Sequence, residues 1–298
     1  MAFVSTAGPD AVRGIDALPI AACEAATMTA ALYPRHATVD DYERFTVFFR
    51  ELGTEDPMPS REVWCATRMP RTLFLERDGD AVAYAMIDVL ATTGYLRHIV
   101  VDPSVRRCGI GRALMQVIGE RLRTRGCKRW CLNVREDNVG ARTLYERLGM
   151  TTAYESVAFK FPWAFVERLP QATTPVDIEE PRPDDDEAVE YRFDLPRGML
   201  AGFRSTPGHM VFALRDRDTR AVSGFSRFVP GARRAVPFRV VRSDLASALL
   251  QGLRPHASSD HDSLTLTVED DAELARVIEA TGARVSMRLL HMQGDIPG

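Results

Sequence analysis

The stretch VDPSVRRCGIGRALMQVIGERL, which begins at Val101, sets two arginines and two glycines between an apolar strand and an amphipathic helix. A helix start leaves several backbone N–H groups without intrahelical acceptors and carries a partial positive charge. Gly109 and Gly111 lack a Cβ, so a bulky anion can approach that backbone. Arg106, Arg107 and Arg112 add charge around the same spot, with Cys108 and Ile110 between them. These residue types in this order suit a diphosphate-sized anion. A dinucleotide fingerprint would want a small residue where Leu114 stands, and a G-K-[ST] phosphate loop is absent. Taken alone, the loop also reads as a Gly-rich turn with solvated arginines.

The surrounding pattern supplies the elements that must hold this loop. TVDDYERFTVFFREL, with Thr38 and Asp41 at capping positions, predicts a helix, and GTEDPMPSRE after it predicts a loop. TLFLER and AVAYAMIDVLA predict strands joined by a tight turn at Asp78-Gly79-Asp80, and YLRHIVVDP a third strand stopped by Pro103. A helix runs from about Gly109 to Arg125 on an apolar stripe that includes Leu114, Ile118 and Leu122. KRWCLNV predicts a fourth strand, DNVGARTLYERLG a helix ended by Gly149, and AYESVAFKF the strand that closes the unit.

Two segments together resemble the GCN5-related N-acetyltransferases (GNAT). RRCGIGRAL is similar to their R/Q-x-x-G-x-G/A acyl-CoA loop, and LNVREDNVGARTLYERLGM to the second half of their core, N-x-x-A-x-x-L-Y-x-x-x-G-F. The likeness is strong from Thr72 to Lys160 and weaker back to Tyr33. It is shared by the bacterial ribosomal-protein alanine acetyltransferases and by many small-molecule acetyltransferases. The resemblance implies acetyl-CoA as acyl donor and an amine that attacks the thioester directly. It implies that the backbone over Ile99, Val100 and Val101 borders a splayed strand, with Ile99 and Val101 pairing the pantetheine arm. It places the pyrophosphate against Arg106, Arg107, Cys108, Gly109, Ile110, Gly111 and Arg112, and a hydrogen bond to the cofactor arm at Asn138. Tyr145 would sit by the thioester sulfur as general acid, and an N–H near Val101 would hold the oxyanion. In the ribosomal-protein type a Glu often occupies the position of Asn133. An asparagine accepts no proton, so Asn133 would orient a water, and His98 on the neighbouring strand is the alternative base or relay. An acyl-Cys108 intermediate is the lesser reading, because direct attack suffices. Glu55 and Asp56 stand where acids could attract a cationic amine.

The C-terminal half repeats the order of elements. HMVFALRD, RAVSGFSRFV, PFRVV, SDLASALLQGL, SLTLTV, DDAELARVIEATG and RVSMRLLHM follow as three strands, helix, strand, helix, strand. The loop chemistry is missing: RSDLASALL replaces RRCGIGRAL, with Ser243 or Asp244 as an ordinary N-cap, and Ile278 falls where Tyr145 stands in the first copy. The fold class expected is therefore α/β (α+β): two tandem GNAT-like domains, each a mixed, mostly antiparallel sheet flanked by helices. The expected boundaries are an N-terminal arm over 1–32 with an Ala-rich helix near 19–32, a catalytic domain over 33–168, a Pro-rich acidic linker over 169–187 and a degenerate domain over 188–298.

Composition limits the partners. At 298 residues, 45% hydrophobic and with a net charge of -3, the chain is a globular protein without a basic surface for nucleic acid, and no apolar run spans a bilayer. Five cysteines without a secretion signal point to free thiols in a reducing, cytoplasmic setting. Cys127 and Cys131 lack nearby co-ligands, so no metal is expected and they read as core residues. The function expected is acetyl transfer from acetyl-CoA to a primary amine, that of a small molecule. Protein or peptide N-terminal acetylation and a non-catalytic acyl-CoA sensor are the alternatives, and a homodimer is allowed for.

Overall fold

A computed structural model describes residues 31–54, 57–90, 92–258 and 262–298. Most of the helix expected near 19–32, and Glu55 and Asp56, lie outside them. The chain divides into two compact units, residues 1–153 with 289–298 and residues 154–288.

The first unit runs β1 (Leu32–His36), α1 (Tyr42–Glu51), α2 (Arg61–Thr67), β2 (Thr72–Arg77), β3 (Asp80–Leu90), β4 (Thr93–Val101), α3 (Ile110–Thr124), β5 (Arg129–Arg135), α4 (Val139–Arg147) and the start of β6 (Thr151–Pro162). Asp78 and Gly79 both have positive φ, the geometry a two-residue hairpin turn needs between β2 and β3. Its sheet is ordered β1-β2-β3-β4-β5, and the far half of the chain's last strand, Leu289–Asp295 of β12 (Arg284–Asp295), pairs antiparallel with β5. Only the β4–β5 pair is parallel. Strand alternation sorts the two faces. Ala83, Ile99, Leu132 and Met292 pack with the apolar stripe of α3 and with Tyr145 of α4, whereas Phe74, Tyr84 and Val100 pack with Phe45, Phe49 and Trp64 of α1 and α2.

The structure corrects four expectations about elements. Leu32, expected in a helix, opens β1, an edge strand whose Pro34, Arg35 and His36 hide the period-two pattern. The segment after α1 contains a further helix, α2, too short to show a 3.6-residue period; Ser60 caps it by accepting from the Val63 N–H. The supposed linker over 169–187 holds β7 (Val176–Glu179), antiparallel to β8 (Met210–Asp216), and the start of α5 (Asp186–Arg192). Its acidic residues are ion-pair partners of arginines rather than linker solvation: Asp177 meets Arg217 at 3.0 Å and Arg220 at 3.2 Å, and Glu179 meets Arg215. Finally, AYESVAFKF does not close the first unit. Ser156–Pro162 of β6 pairs with β11 (Ser263–Glu269) in the second unit, where Val157, Phe159 and Phe161 are core residues. Alternation reports which face of a strand is buried, not which strand it pairs with.

The second unit continues through α6 (Met199–Arg204), β9 (Val222–Val229), β10 (Arg234–Val240), α7 (Ala246–Leu253) and α8 (Ala272–Ala280). Its sheet is ordered β6-β11-β10-β9-β8-β7, with β10–β11 the parallel pair. From β1 to β6 and from β7 to β12 the chain follows one order: strand, two helices, three strands, helix, strand, helix, strand. No described helix is long and apolar enough to cross a membrane.

The first unit's dependence on the chain's end is measurable. Met292 is 1% exposed, so Met292→Ala should cost about 2–5 kcal/mol. A Cβ on Gly294 would lie 2.8 Å from the Gly149 carbonyl oxygen, and Gly294→Ala should cost about 1–3 kcal/mol. Denaturant midpoints of the two variants against wild type check both figures.

Candidate active site

The site begins where a ladder stops. β4 and β5 pair over Thr93–Arg129, Gly94–Trp130, Tyr95–Cys131 and Leu96–Leu132, and no further. The cause lies on the other edge of β4. The β3–β4 register slips by one residue between Met86–His98 and Ile87–Leu96, leaving Arg97 as the extra residue of a bulge. A bulge bends its strand and increases the local twist, which turns the end of β4 away from β5. Asp102 N–H donates to the Val82 carbonyl on β3 at 3.0 Å, so by alternation the polar backbone groups of Val100 face β3 and those of Ile99 and Val101 face the opening. Arg106 Nε donates to the Val101 carbonyl at 3.0 Å and its Nη2 meets Glu51 at 2.9 Å. The Arg106 guanidinium is therefore committed to the bent strand and to α1, not to the loop's mouth where it was expected.

The loop after β4 has the shape of an anion cradle. Arg107 has φ 67°, Gly109 has φ 79° as N-cap of α3, and the first intrahelical bond runs from Ala113 N–H to the Gly109 carbonyl. The amides of Ile110, Gly111 and Arg112 are thus the orphan donors of a helix fifteen residues long. No carboxylate pairs with Arg107 or Arg112 among the described residues. The two glycines do different work. A Cβ at Gly109 would meet nothing within 4 Å, so its role is conformational and its surface open. A Cβ at Gly111 would lie 3.2 Å from a Leu144 methyl and 3.7 Å from Val101, so Gly111 lets α3 sit close to α4 and β4. Cys108 is buried in the core beneath the loop.

Tyr145 is 1% exposed and belongs to the same core as Ile99, Val101, Ile110 and Leu114. Burial pushes its phenol well above the ordinary tyrosine range, so the proton stays on at neutral pH. Asn138 is the N-cap of α4: its Oδ1 accepts from Ala141 N–H at 3.2 Å, a local duty the cofactor-arm expectation did not include.

The opposite sheet face carries a polar group that the sequence reading reached only in part. Asn133, 2% exposed, is the first β5 residue beyond the ladder. Its Nδ2 donates to Tyr95 Oη at 2.9 Å, and its Oδ1 lies 2.8 Å from Nδ1 of His291. His291, 8% exposed, stands directly opposite Asn133 in the β12–β5 register. The Arg97 guanidinium lies 4.2 Å from the Tyr95 ring centre and its Nε donates to Asp88 at 2.6 Å. Burial raises the Asp88 carboxyl, but the Arg97 and Arg71 charges outweigh it and hold the group below the usual carboxylate range. His98 is not brought to this cluster. Its Nδ1 lies 2.7 Å from Tyr84 Oη, and its ring packs 5.8 Å from that of Phe49 of α1. His291 escaped the sequence reading because its partner is 158 positions away; the only local signal is a histidine set between Leu290 and Met292, hence on the face away from the core.

The second unit shares the early end of the parallel ladder and a register slip on the outer edge of β10, but not the cradle or the polar pair. Its parallel β10–β11 ladder is shorter still, Arg234–Thr265 and Ala235–Leu266, and Arg239 of β10 reaches across to the Glu269 carbonyl of β11. Where the first unit has its cradle, Asp244 accepts from Arg242 Nη2 at 2.6 Å and from the Thr173 N–H at 3.1 Å. It does not cap α7, which a 3-10 turn over Ser243–Leu245 leads into. The Arg242 hydrogen bond holds Asp244 far below the usual carboxylate range, so the charge there is negative. Fifth of seven in each strand, Asn133 corresponds to Thr267, whose cross-strand partner is Ala158 rather than a histidine.

Residues 39–150 match the model of the acetyltransferase (GNAT) family. They form a GNAT acetyltransferase domain. The [ribosomal protein bS18]-alanine N-acetyltransferase of Escherichia coli K12 is 38% identical over 79 residues, 26% of this chain and 53% of that protein. Its Salmonella typhimurium counterpart is 38% identical over 81 residues, 27% of this chain and 55% of that protein. The chain thus spans about half the length of the curated relatives it matches. A GCN5-related N-acetyltransferase of Sphaerobacter thermophilus superposes with a TM-score of 0.62 at 19% identity, over 90% of this chain and 96% of that one. A tandem GNAT protein from the clavulanic acid biosynthesis pathway superposes with a TM-score of 0.61 at 15% identity, over 90% and 99%. At these identities the structural likeness speaks for the fold.

Within the GNAT domain, burial of His98 makes a pH prediction. Desolvation, followed by the Arg68 charge, holds its imidazole well below the ordinary value of 6.5, so the folded protein keeps it neutral while the unfolded chain protonates. The unfolded state then binds more protons below pH 6.5, and stability falls as pH falls through that value, by up to about 1.4 kcal/mol per pH unit from this group. His98→Gln should flatten that acid limb by about one proton's worth, read from unfolding free energies between pH 7 and 5.

Proposed function

We propose that the first unit transfers an acetyl group from acetyl-CoA to a primary amine, and that the second unit is a degenerate GNAT copy without a donor site. The observation that carries this is the opening of β4 from β5 immediately before a helix start with open amides and uncommitted arginines, with Tyr145 in the core beneath. The residues suit a nucleotide-tailed thioester. The amides of Ile110, Gly111 and Arg112, with the Arg107 and Arg112 side chains, would take its diphosphate. The Ile99 and Val101 backbone would pair with the pantetheine arm, and an N–H at that strand end would hold the carbonyl oxygen as charge develops. The donor supplies an activated acyl group. Tyr145, kept protonated by burial, would give its proton to the departing sulfur.

A small-molecule acceptor fits the confined polar floor. α1 and α2 fill the sheet face over β2, β3 and the end of β4, and leave Tyr95, Asn133 and His291 as the polar group beside them. A second reading, acetylation of a peptide N-terminus, is favoured by the 38% identity to the ribosomal-protein enzyme over the matched segment. In either case the amine acceptor is the partner proposed, and the cytoplasm the compartment.

Calorimetry should find one acetyl-CoA bound per chain. Gly109→Asp, which places in the cradle the residue type that fills it in the second unit, should abolish that binding. Tyr145→Phe should lower turnover by about 10²- to 10⁴-fold with donor affinity kept. Release of free CoA thiol, followed across small amines and an alanine-initiated peptide, separates the two acceptors. Tight donor binding with no turnover on any amine would make the protein a sensor instead.

A further inference from the structure

We infer that His291, delivered by the chain's last strand, is the proton acceptor for the attacking amine, and that Asn133 is the residue that selects its basic nitrogen. The inference rests on the acetyl-transfer reading above.

The argument starts from donor and acceptor counting. A side-chain amide has one acceptor end and one donor end. Asn133 is oriented with Nδ2 toward Tyr95 Oη, 2.9 Å away, and Oδ1 toward His291. Oδ1 can only accept, and it lies 2.8 Å from Nδ1, so Nδ1 must carry the hydrogen. A neutral imidazole protonated at Nδ1 has its lone pair on Nε2. The amide therefore does for His291 what an orienting residue does for the histidine of a hydrolytic triad: it fixes tautomer and ring plane. A neutral asparagine does so without adding a charge of its own.

Position supports the same role. Asn133 is the first β5 residue after the last β4–β5 rung, and His291 is its direct cross-strand neighbour, one strand, or about 5 Å, from the opening. The pair lies on the sheet face opposite Tyr145, so proton acceptor and proton donor stand on the two sides of the plane through which the acyl group must be reached. The second unit, whose cradle is filled by Asp244, has Thr267 and Ala158 at the two positions. The polar pair and the anion cradle occur together in one unit and are both missing from the other.

The step balances as follows. The ammonium form of the acceptor gives one proton to Nε2 of His291, and the freed nitrogen pair forms a C–N bond to the thioester carbon while the carbonyl pair moves to oxygen. When that pair returns, the C–S bond breaks, the sulfur takes the Tyr145 proton, the nitrogen releases its second proton, and the proton held by His291 passes through solvent to the tyrosinate, so both residues are restored. The products are an amide, a thiol and one proton to solvent.

The test uses two amines. Propylamine, an alkylammonium at neutral pH like lysine with its pKa of about 10.4, must lose a proton before attack. Hydroxylamine is already unprotonated there. His291→Ala should lower kcat with propylamine by about 10²- to 10⁴-fold, lower it less than about tenfold with hydroxylamine, and leave acetyl-CoA affinity within about twofold. Added imidazole should restore propylamine turnover. Asn133→Leu should behave like His291→Ala, and Asn133→Asp, which keeps an acceptor for Nδ1–H, should retain activity. Equal losses with both amines, or no loss, overturn the proposal. A readout independent of turnover is the tautomer. In the intact protein with ¹⁵N-histidine, using His291→Asn to assign the signal, His291 should be protonated at Nδ1. A neutral His291 protonated at Nε2 refutes the role even in a protein that acetylates no amine, whereas failure of the acetyl-transfer reading shows separately as absent donor binding in wild type.

Discussion

Parallel pairing between β4 and β5 holds for four rungs and then stops, and the functional architecture of the first unit follows from that stop. A parallel ladder carried to the strand ends would have tied up the backbone groups of Ile99 and Val101. It would also have kept β4 in line, with the start of α3 pressed against the sheet. The bulge at Arg97 prevents this at the cost of one unmatched residue, and the structure holds the bulge firmly. Arg97 is anchored to Asp88, Asp88 is shared with Arg71 at 2.8 Å, and the exposed Val101 carbonyl is taken by Arg106. Arginines that the sequence presents as one basic cluster are thus divided. Arg106 supports the bent strand, and Arg107 and Arg112 are left for an anion.

The second dependency is topological. The strand that borders β5 in the first unit comes from the last residues of the chain, and the strand that follows α4 in sequence serves the second unit. The first unit is therefore not a separable N-terminal domain. Its core includes Leu290, Met292 and Ile296, and its polar cluster includes His291. The first unit thus takes one strand, and with it the His291 side chain, from a segment separated in sequence by the whole of the second unit.

This topology also marks the limit of what the residues disclosed. The hairpin at Asp78-Gly79, the stripe of α3, the left-handed Gly149 and the order of elements in both halves were legible, because turn chemistry and periodicity are local. The left-handed start of α3 was legible because Gly109 and the first turn of the helix are adjacent in sequence. β1 and α2 were not, being only five and seven residues long. The partner of β6 was not, because Val157, Phe159 and Phe161 would alternate identically against any neighbour. His291 was out of reach for the same reason: nothing near it in sequence says that it faces Asn133. His98, the histidine that sequence did point to, is a buried ring paired with Tyr84 and packed against Phe49 of α1.

The contrast between the two units turns on sign of charge at equivalent helix starts. In the first, the space beside Gly109 at the start of α3 is open, and no carboxylate pairs with Arg107 or Arg112 among the described residues. In the second, the Asp244 carboxylate is already there, held by Arg242 and Thr173. This internal carboxylate is satisfied by Arg242 and by the backbone and hydroxyl of Thr173, not by the amides at the start of α7. A diphosphate entering the second unit would have to displace a hydrogen-bonded carboxylate and then sit beside it, so like-charge repulsion and lost hydrogen bonds act together.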